Sequence, residues 1–121
     1  MNPNDRTILF TTRDELLRLR ASTIVAFRAD GNYTQLILAN GSKYTVCLNL
    51  QGMEQALAAQ LGPDAQRYAR VGKSAIINLD YVQHLSVPRQ RIILGDGVGQ
   101  NFAVPVSREA IKHLKAIFMP S

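Results

Sequence analysis

Residues 33–47, Tyr33-Thr34-Gln35-Leu36-Ile37-Leu38-Ala39-Asn40-Gly41-Ser42-Lys43-Tyr44-Thr45-Val46-Cys47, decide the fold class. Two runs rich in aliphatic, aromatic and β-branched residues flank Asn40-Gly41, the strongest short-range signal for a tight hairpin. A type I′ turn needs positive φ at both central residues, which asparagine and glycine tolerate best. The reading is a pair of antiparallel strands, Tyr33–Ala39 and Ser42–Cys47. Leu36 and Leu38 then share one face with alternating residues of the return strand, Tyr44 and Val46 among them.

The same texture extends outward. Upstream, Thr7–Phe10 and Glu15–Arg20 flank the polar turn Thr12-Arg13-Asp14, and Thr23–Arg28 ends at Ala29-Asp30-Gly31-Asn32. That cluster favours a turn because Gly, Asn and Asp accept positive φ. Downstream the period changes: Leu50, Met53, Leu57 and Leu61 recur at three- and four-residue steps, as on an amphipathic helix. Asn49 is its N-cap and Gly62-Pro63 its stop. Strands return at Arg67–Val71, Ala75–Asn78, Tyr81–Val87, Arg91–Leu94 and Gln100–Val104, with turns at Val87-Pro88-Arg89-Gln90 and Gly95-Asp96-Gly97. A last helix runs from Ser107 to Phe118, burying Ile111, Leu114 and Phe118 and exposing Arg108, Lys112 and Lys115. Many short strands with two short helices make a mostly-β domain with peripheral α-helices. One domain spans 1–121, with a core over 7–118 and a flexible leader at 1–6.

At 121 residues, 46% of them hydrophobic and 19% charged, the chain is long and apolar enough to bury a core without metals or disulfides. Cys47 is the single cysteine, which excludes an internal disulfide framework and suits a reducing compartment. The N-terminus lacks the pattern of a secretory signal, and no apolar run approaches the roughly 18 residues of a membrane helix. A cytoplasmic protein without membrane contact is expected. The net charge of +5 is unevenly placed. Residues 1–64 carry six basic and six acidic side chains, whereas residues 65–121 carry eight basic and three acidic ones. A basic half suits a polyanionic partner, because each neutralised phosphate releases a condensed counterion.

Catalytic patterns are missing. His84 and His113 lack the spacing of a helical zinc pair, and the nine carboxylates are dispersed. Cys47 reads as a small apolar strand residue. Gly95-Asp96-Gly97-Val98-Gly99 lacks the spacing of a dinucleotide loop and reads as a hairpin turn. The chain is expected to be no enzyme and to need no cofactor or metal.

Four ordered segments carry a resemblance. They are Ile24–Thr34, containing Asp30-Gly31-Asn32-Tyr33; Leu48–Leu57; Tyr68-Ala69-Arg70-Val71-Gly72-Lys73-Ser74-Ala75-Ile76-Ile77-Asn78; and Val104-Pro105-Val106-Ser107-Arg108. Together they resemble the LytTR family of DNA-binding domains. The third matches its F-x-R-V-H-[RK]-S-x-[LIV]-V-N signature at most places, and the fourth matches its ending before the last helix. The resemblance covers about residues 7–118. It implies an elongated fold of several small sheets, with double-stranded DNA read by loops and a helix start rather than by a helix laid in the groove. It further implies a transcription regulator acting at paired direct repeats through two weakly associated copies.

Under that resemblance Arg108 is the candidate for guanine recognition, and Lys73 contacts bases or phosphate. Asn32, Tyr33 and Thr34 lie on the DNA-facing loop, although Tyr33 has the alternative of a core position. Arg70 binds phosphate or pairs internally with Asp80, and Lys112 and Lys115 extend the phosphate contact. Asn78 satisfies backbone groups at a strand end. Gly72 stands where the family usually has histidine, so operator preference does not carry over. No receiver domain fits in the chain, and Met1 favours a free-standing regulator over an excised domain, with an unidentified regulatory protein as a further partner. The rival reading is a β-rich protein-interaction or ligand-sensing module that has lost DNA binding.

Overall fold

The run Ile24-Val25-Ala26-Phe27 offers no polar side chain to turn toward water, and all four residues are fully buried in the computed structural model, which describes residues 6–119. Of the expected flexible leader, residues 1–5 lie outside the described residues. Arg6 is anchored: its carbonyl accepts from the Ala21 N–H at 2.7 Å, and its Nε lies 3.4 Å from Asp64 Oδ2.

In chain order the strands are β1 (Thr7–Thr11), β2 (Leu16–Arg20), β3 (Ile24–Asp30), β4 (Tyr33–Leu38), β5 (Lys43–Val46), β6 (Tyr68–Val71), β7 (Ala75–Asn78), β8 (Val82–Ser86), β9 (Arg91–Gly95) and β10 (Asn101–Pro105). Helix α1 spans Leu50–Leu61 and α2 spans Arg108–Phe118. All strand pairs are antiparallel, in a five-stranded sheet ordered β5-β4-β3-β7-β6, a three-stranded sheet ordered β10-β9-β8, and the β1-β2 hairpin.

The five-stranded sheet is covered on both faces. Ile24, Phe27, Leu36 and Ile76 pack on Met53, Leu57 and Leu61 of α1 and on Ile8 and Phe10 of the hairpin. Val25, Ala26, Ile37 and Ile77 face the other way, toward Ile92, Leu94 and Val104 of the smaller sheet and Ile111 and Leu114 of α2. A β-bulge between Ile24 and Ala26 lets two consecutive residues, Val25 and Ala26, serve the same core. Gln60 of α1 fastens the hairpin by acting as a strand partner. Its Oε1 accepts from the Leu9 N–H and its Nε2 donates to the Leu9 carbonyl, both at 2.7 Å.

Helix ends follow the sequence signals. The Asn49 side chain accepts from the Gly52 N–H at 2.8 Å, and the Ser107 hydroxyl accepts from the Ala110 N–H at 3.2 Å. Gly62 ends α1 with φ +56°. The Asn40-Gly41 turn differs from expectation. Only Gly41 has positive φ (+91°), and the Gly41 N–H donates to the Leu38 carbonyl at 2.9 Å. That is a three-residue loop with glycine in the left-handed bulge position, not a two-residue type I′ turn. The extra residue moves the register by one and sets Leu36 opposite Tyr44, where a two-residue loop would set it opposite Thr45. One burial expectation and one strand expectation also fail. Phe118 lies on the apolar side of α2 but is 49% exposed, because the last turn outruns its cover, and Cys47 is exposed just beyond β5.

The β8–β9 turn has the same hydrogen bond, Gln90 N–H to Val87 O at 3.2 Å, but holds a glutamine at φ +49° where Gly41 stands in the other turn. It is the single non-glycine residue with positive φ among the described residues. At the β9–β10 turn, Asp96 Oδ1 accepts from Gly99 N–H at 2.7 Å and Val98 N–H at 2.9 Å.

Two tests follow from these bonds. Asn78 is fully buried, donates to the Ile24 carbonyl at 3.0 Å and accepts from the Asp80 N–H at 3.0 Å. Asn78→Ala strands both backbone groups, so urea titration should show a loss of about 2–4 kcal/mol. The Gly99 and Val98 N–H groups hold the Asp96 carboxyl below its ordinary 3.8. A depressed folded pKa contributes stability that is present above the unfolded pKa and is lost as pH falls through the folded one. The Tm difference between wild type and Asp96→Asn should therefore shrink on acidification from about pH 6 to about pH 3.

Candidate nucleic-acid interface

Antiparallel pairing decides which turns share an end of the sheet. Asp30 pairs with Tyr33 across the β3–β4 turn, and Val71 pairs with Ala75 across the β6–β7 turn. Arg28 pairs with Ala75, so both turns emerge at the same end. They are tied directly: the Ala29 N–H donates to the Ser74 carbonyl at 2.9 Å. Asn32 and Lys73 are both exposed there, and Tyr33 is 47% exposed, which removes the core alternative.

The start of α2 reaches the same place from the other sheet. Residues 72–74 form one wall of an open cleft of about 540 Å³, with Pro105 and Ser107 on the other wall and Gln90 also lining it. Val106 is fixed by donating its N–H to the Gln90 carbonyl at 3.0 Å. Arg108, the first residue of α2, directly follows the lining residue Ser107 and is exposed. Lys112 lies one turn further along the same exposed side. Lys115 is exposed too, but it borders a second depression with Gln83, His84 and Phe118. Arg108, Lys73, Lys112 and Lys115 have no salt-bridge partner among the described residues.

Two candidates have internal roles instead. Thr34 is fully buried, and its hydroxyl donates to the Leu48 carbonyl at 2.6 Å. Strand alternation turns it inward while Tyr33 turns out, so Thr34 supports the loop and cannot touch a ligand. Arg70 does pair internally, but with Glu54 of α1 rather than with Asp80, whose partner is Arg67 at 3.8 Å. The Arg70 Nε also donates to the Gly72 carbonyl at 3.0 Å, so this side chain braces the 72–74 loop. Gly72 has φ +64°, a left-handed conformation that glycine adopts without a Cβ penalty.

The sequence reading missed Arg28 and Gln90. Arg28 is exposed on β3 between Gln35 and Ala75, beside both turns. Its local sequence looks like any polar strand end, and only the pairing reveals its position. Gln90 was legible as a turn residue, but its cleft neighbours come from segments far away in the chain. Among the described residues no group of His, Cys, Asp or Glu side chains is arranged to hold a metal, and no helix is long and apolar enough to cross a membrane.

Two turns and the start of a helix thus meet at one edge of a mostly-β domain, which displays the exposed cations Lys73 and Arg108. The family model for the LytTr DNA-binding domain matches residues 14–119, and the chain belongs to this LytTR family. Its fold is similar to that of the LytTr DNA-binding domain of a Bacillus cereus protein described as a methyl-accepting/DNA response regulator. That match has a TM-score of 0.62 at 17% identity, covering 92% of this chain and 94% of the other. No curated protein matches the chain.

The Arg70–Glu54 pair is partly exposed, so Glu54→Gln should change global stability by less than about 1 kcal/mol. If it braces the loop, hydrogen exchange at residues 72–74 should rise while the rest of the sheet stays protected.

Proposed function

We propose that the chain binds double-stranded DNA in a sequence-specific manner as a transcription regulator, presenting the edge formed by the 30–33 turn, the 72–74 loop and the start of α2. The observation that carries this reading is the convergence of the Lys73 loop and the start of α2, at Ser107 and Ala110, on one cleft, with Lys73 and Arg108 both exposed and without a salt-bridge partner among the described residues. Family membership supplies the class of ligand.

Each residue has a chemical role in this reading. Arg108 offers a planar fork that matches guanine O6 and N7 in the major groove, a contact worth about 1–3 kcal/mol of discrimination. Lys73 is a flexible point charge suited to phosphate or a base acceptor. Asn32 and Tyr33 approach the duplex from the tied neighbouring turn. Lys112 and Lys115 neutralise phosphates along the helix and carry no sequence information. Arg70 acts by holding the loop that bears Lys73. Two copies on direct repeats would gain affinity through effective concentration on one duplex, even where the contact between them is weak.

The test is selection of genomic fragments by the purified protein, followed by binding at two salt concentrations. A recovered repeated motif, with log K falling linearly against log salt, supports the reading. Recovery of no motif and weak, salt-insensitive retention would sink it in favour of a protein-interaction or ligand-sensing module. On the recovered site, Arg108→Ala should cost about 1–3 kcal/mol and relax preference at one position. Lys112→Ala should weaken all sequences alike and reduce the salt slope by about 1.

A further inference from the structure

Two turns of this molecule close with the same type of hydrogen bond and place a different residue at their left-handed position. In each, an N–H donates back across three residues to close the turn, Gly41 to Leu38 and Gln90 to Val87. In each, the donating residue has positive φ, +91° for Gly41 and +49° for Gln90. Glycine is the ordinary occupant of such a position, because a side chain there crowds the backbone. A strained non-glycine residue points to a function for its side chain. Gln90 is clamped on both sides, its N–H to Val87 O at 3.2 Å and its C=O to Val106 N–H at 3.0 Å. It lines the cleft between the Lys73 loop and Ser107, and it is exposed. Its side-chain amide has no hydrogen-bond partner among the described residues.

We propose that Gln90 is a specificity-determining residue that reads adenine from the cleft, between the contacts made by Lys73 and Arg108. The inference rests on the DNA-binding reading above and adds a third reading position to it. The chemistry is that of a carboxamide, which can donate to adenine N7 and accept from N6–H₂ in the major groove and matches no other base edge in both bonds. The turn sacrifices its preferred glycine to hold that amide on a short, doubly hydrogen-bonded backbone.

The experiment is fragment selection with wild type, Gln90→Gly and Arg108→Ala in parallel, with thermal melts of each protein. Gln90→Gly suits the backbone at this φ, so its Tm should be unchanged or raised. The expected result is that one A·T position of the wild-type motif loses its preference, about 5- to 150-fold, while the Arg108-dependent position is retained. Arg108→Ala should give the complementary pattern. A Gln90→Gly motif identical to wild type at every position, or a uniform loss of affinity with no change in motif, overturns the inference and leaves the DNA-binding reading standing. Failure of the wild-type protein to select any motif overturns both.

Discussion

Two-sided burial of β3 is the constraint on which the rest of the molecule depends. A strand whose residues 24–27 are all apolar cannot lie on the surface of a sheet, so each face of the central sheet needs its own cover. One cover is α1 with the β1–β2 hairpin, and the other is the three-stranded sheet with α2. Each large aliphatic side chain removed from water contributes about 1.5–3 kcal/mol, so both covers are held by the same few strands. Phe27 and Tyr68 meet edge to face at 5.7 Å in one core, and the Tyr68 hydroxyl donates to the Ala21 carbonyl at 2.5 Å. The second core fixes where α2 begins, because Ile111 and Leu114 must reach Val104 and Ile92. That placement brings Arg108 to the same end as Lys73.

Much of this architecture was legible in the residues. Apolar alternation and turn chemistry located the strands to within a residue or two, and Asn49, Gly62 and Ser107 marked helix ends that the backbone uses. These signals are local, and local hydrogen bonds decide them. The errors share a different origin. The Asn40-Gly41 dipeptide can serve a two-residue or a three-residue loop, and cross-strand packing chose the latter. Phe118 has the periodicity of a buried residue, but periodicity says nothing about where the neighbouring sheet stops.

The candidate site was legible in its parts and not in its assembly. Lys73, Arg108, Asn32 and Tyr33 are exposed, and they sit on segments that the fold gathers. Thr34 adjoins Tyr33 in sequence, but the pleat separates them onto opposite faces. The partner of Arg70 depended on where α1 and its Glu54 sit against the sheet, and no sequence spacing encodes that. The Gly72 departure from the family pattern fits a left-handed turn in the backbone, at φ +64°. Gln90 escaped notice because a turn residue is usually read for its backbone alone.

The bond from Ala29 to Ser74 ties the two turns into one unit. With the tips tied at a set offset from each other, a residue inserted into either turn would throw one out of step with its neighbour. Variation in such a frame is then best accommodated by exchanging side chains on an unchanged backbone. Length would be the guarded property of these turns, and the alphabet displayed on them the free one.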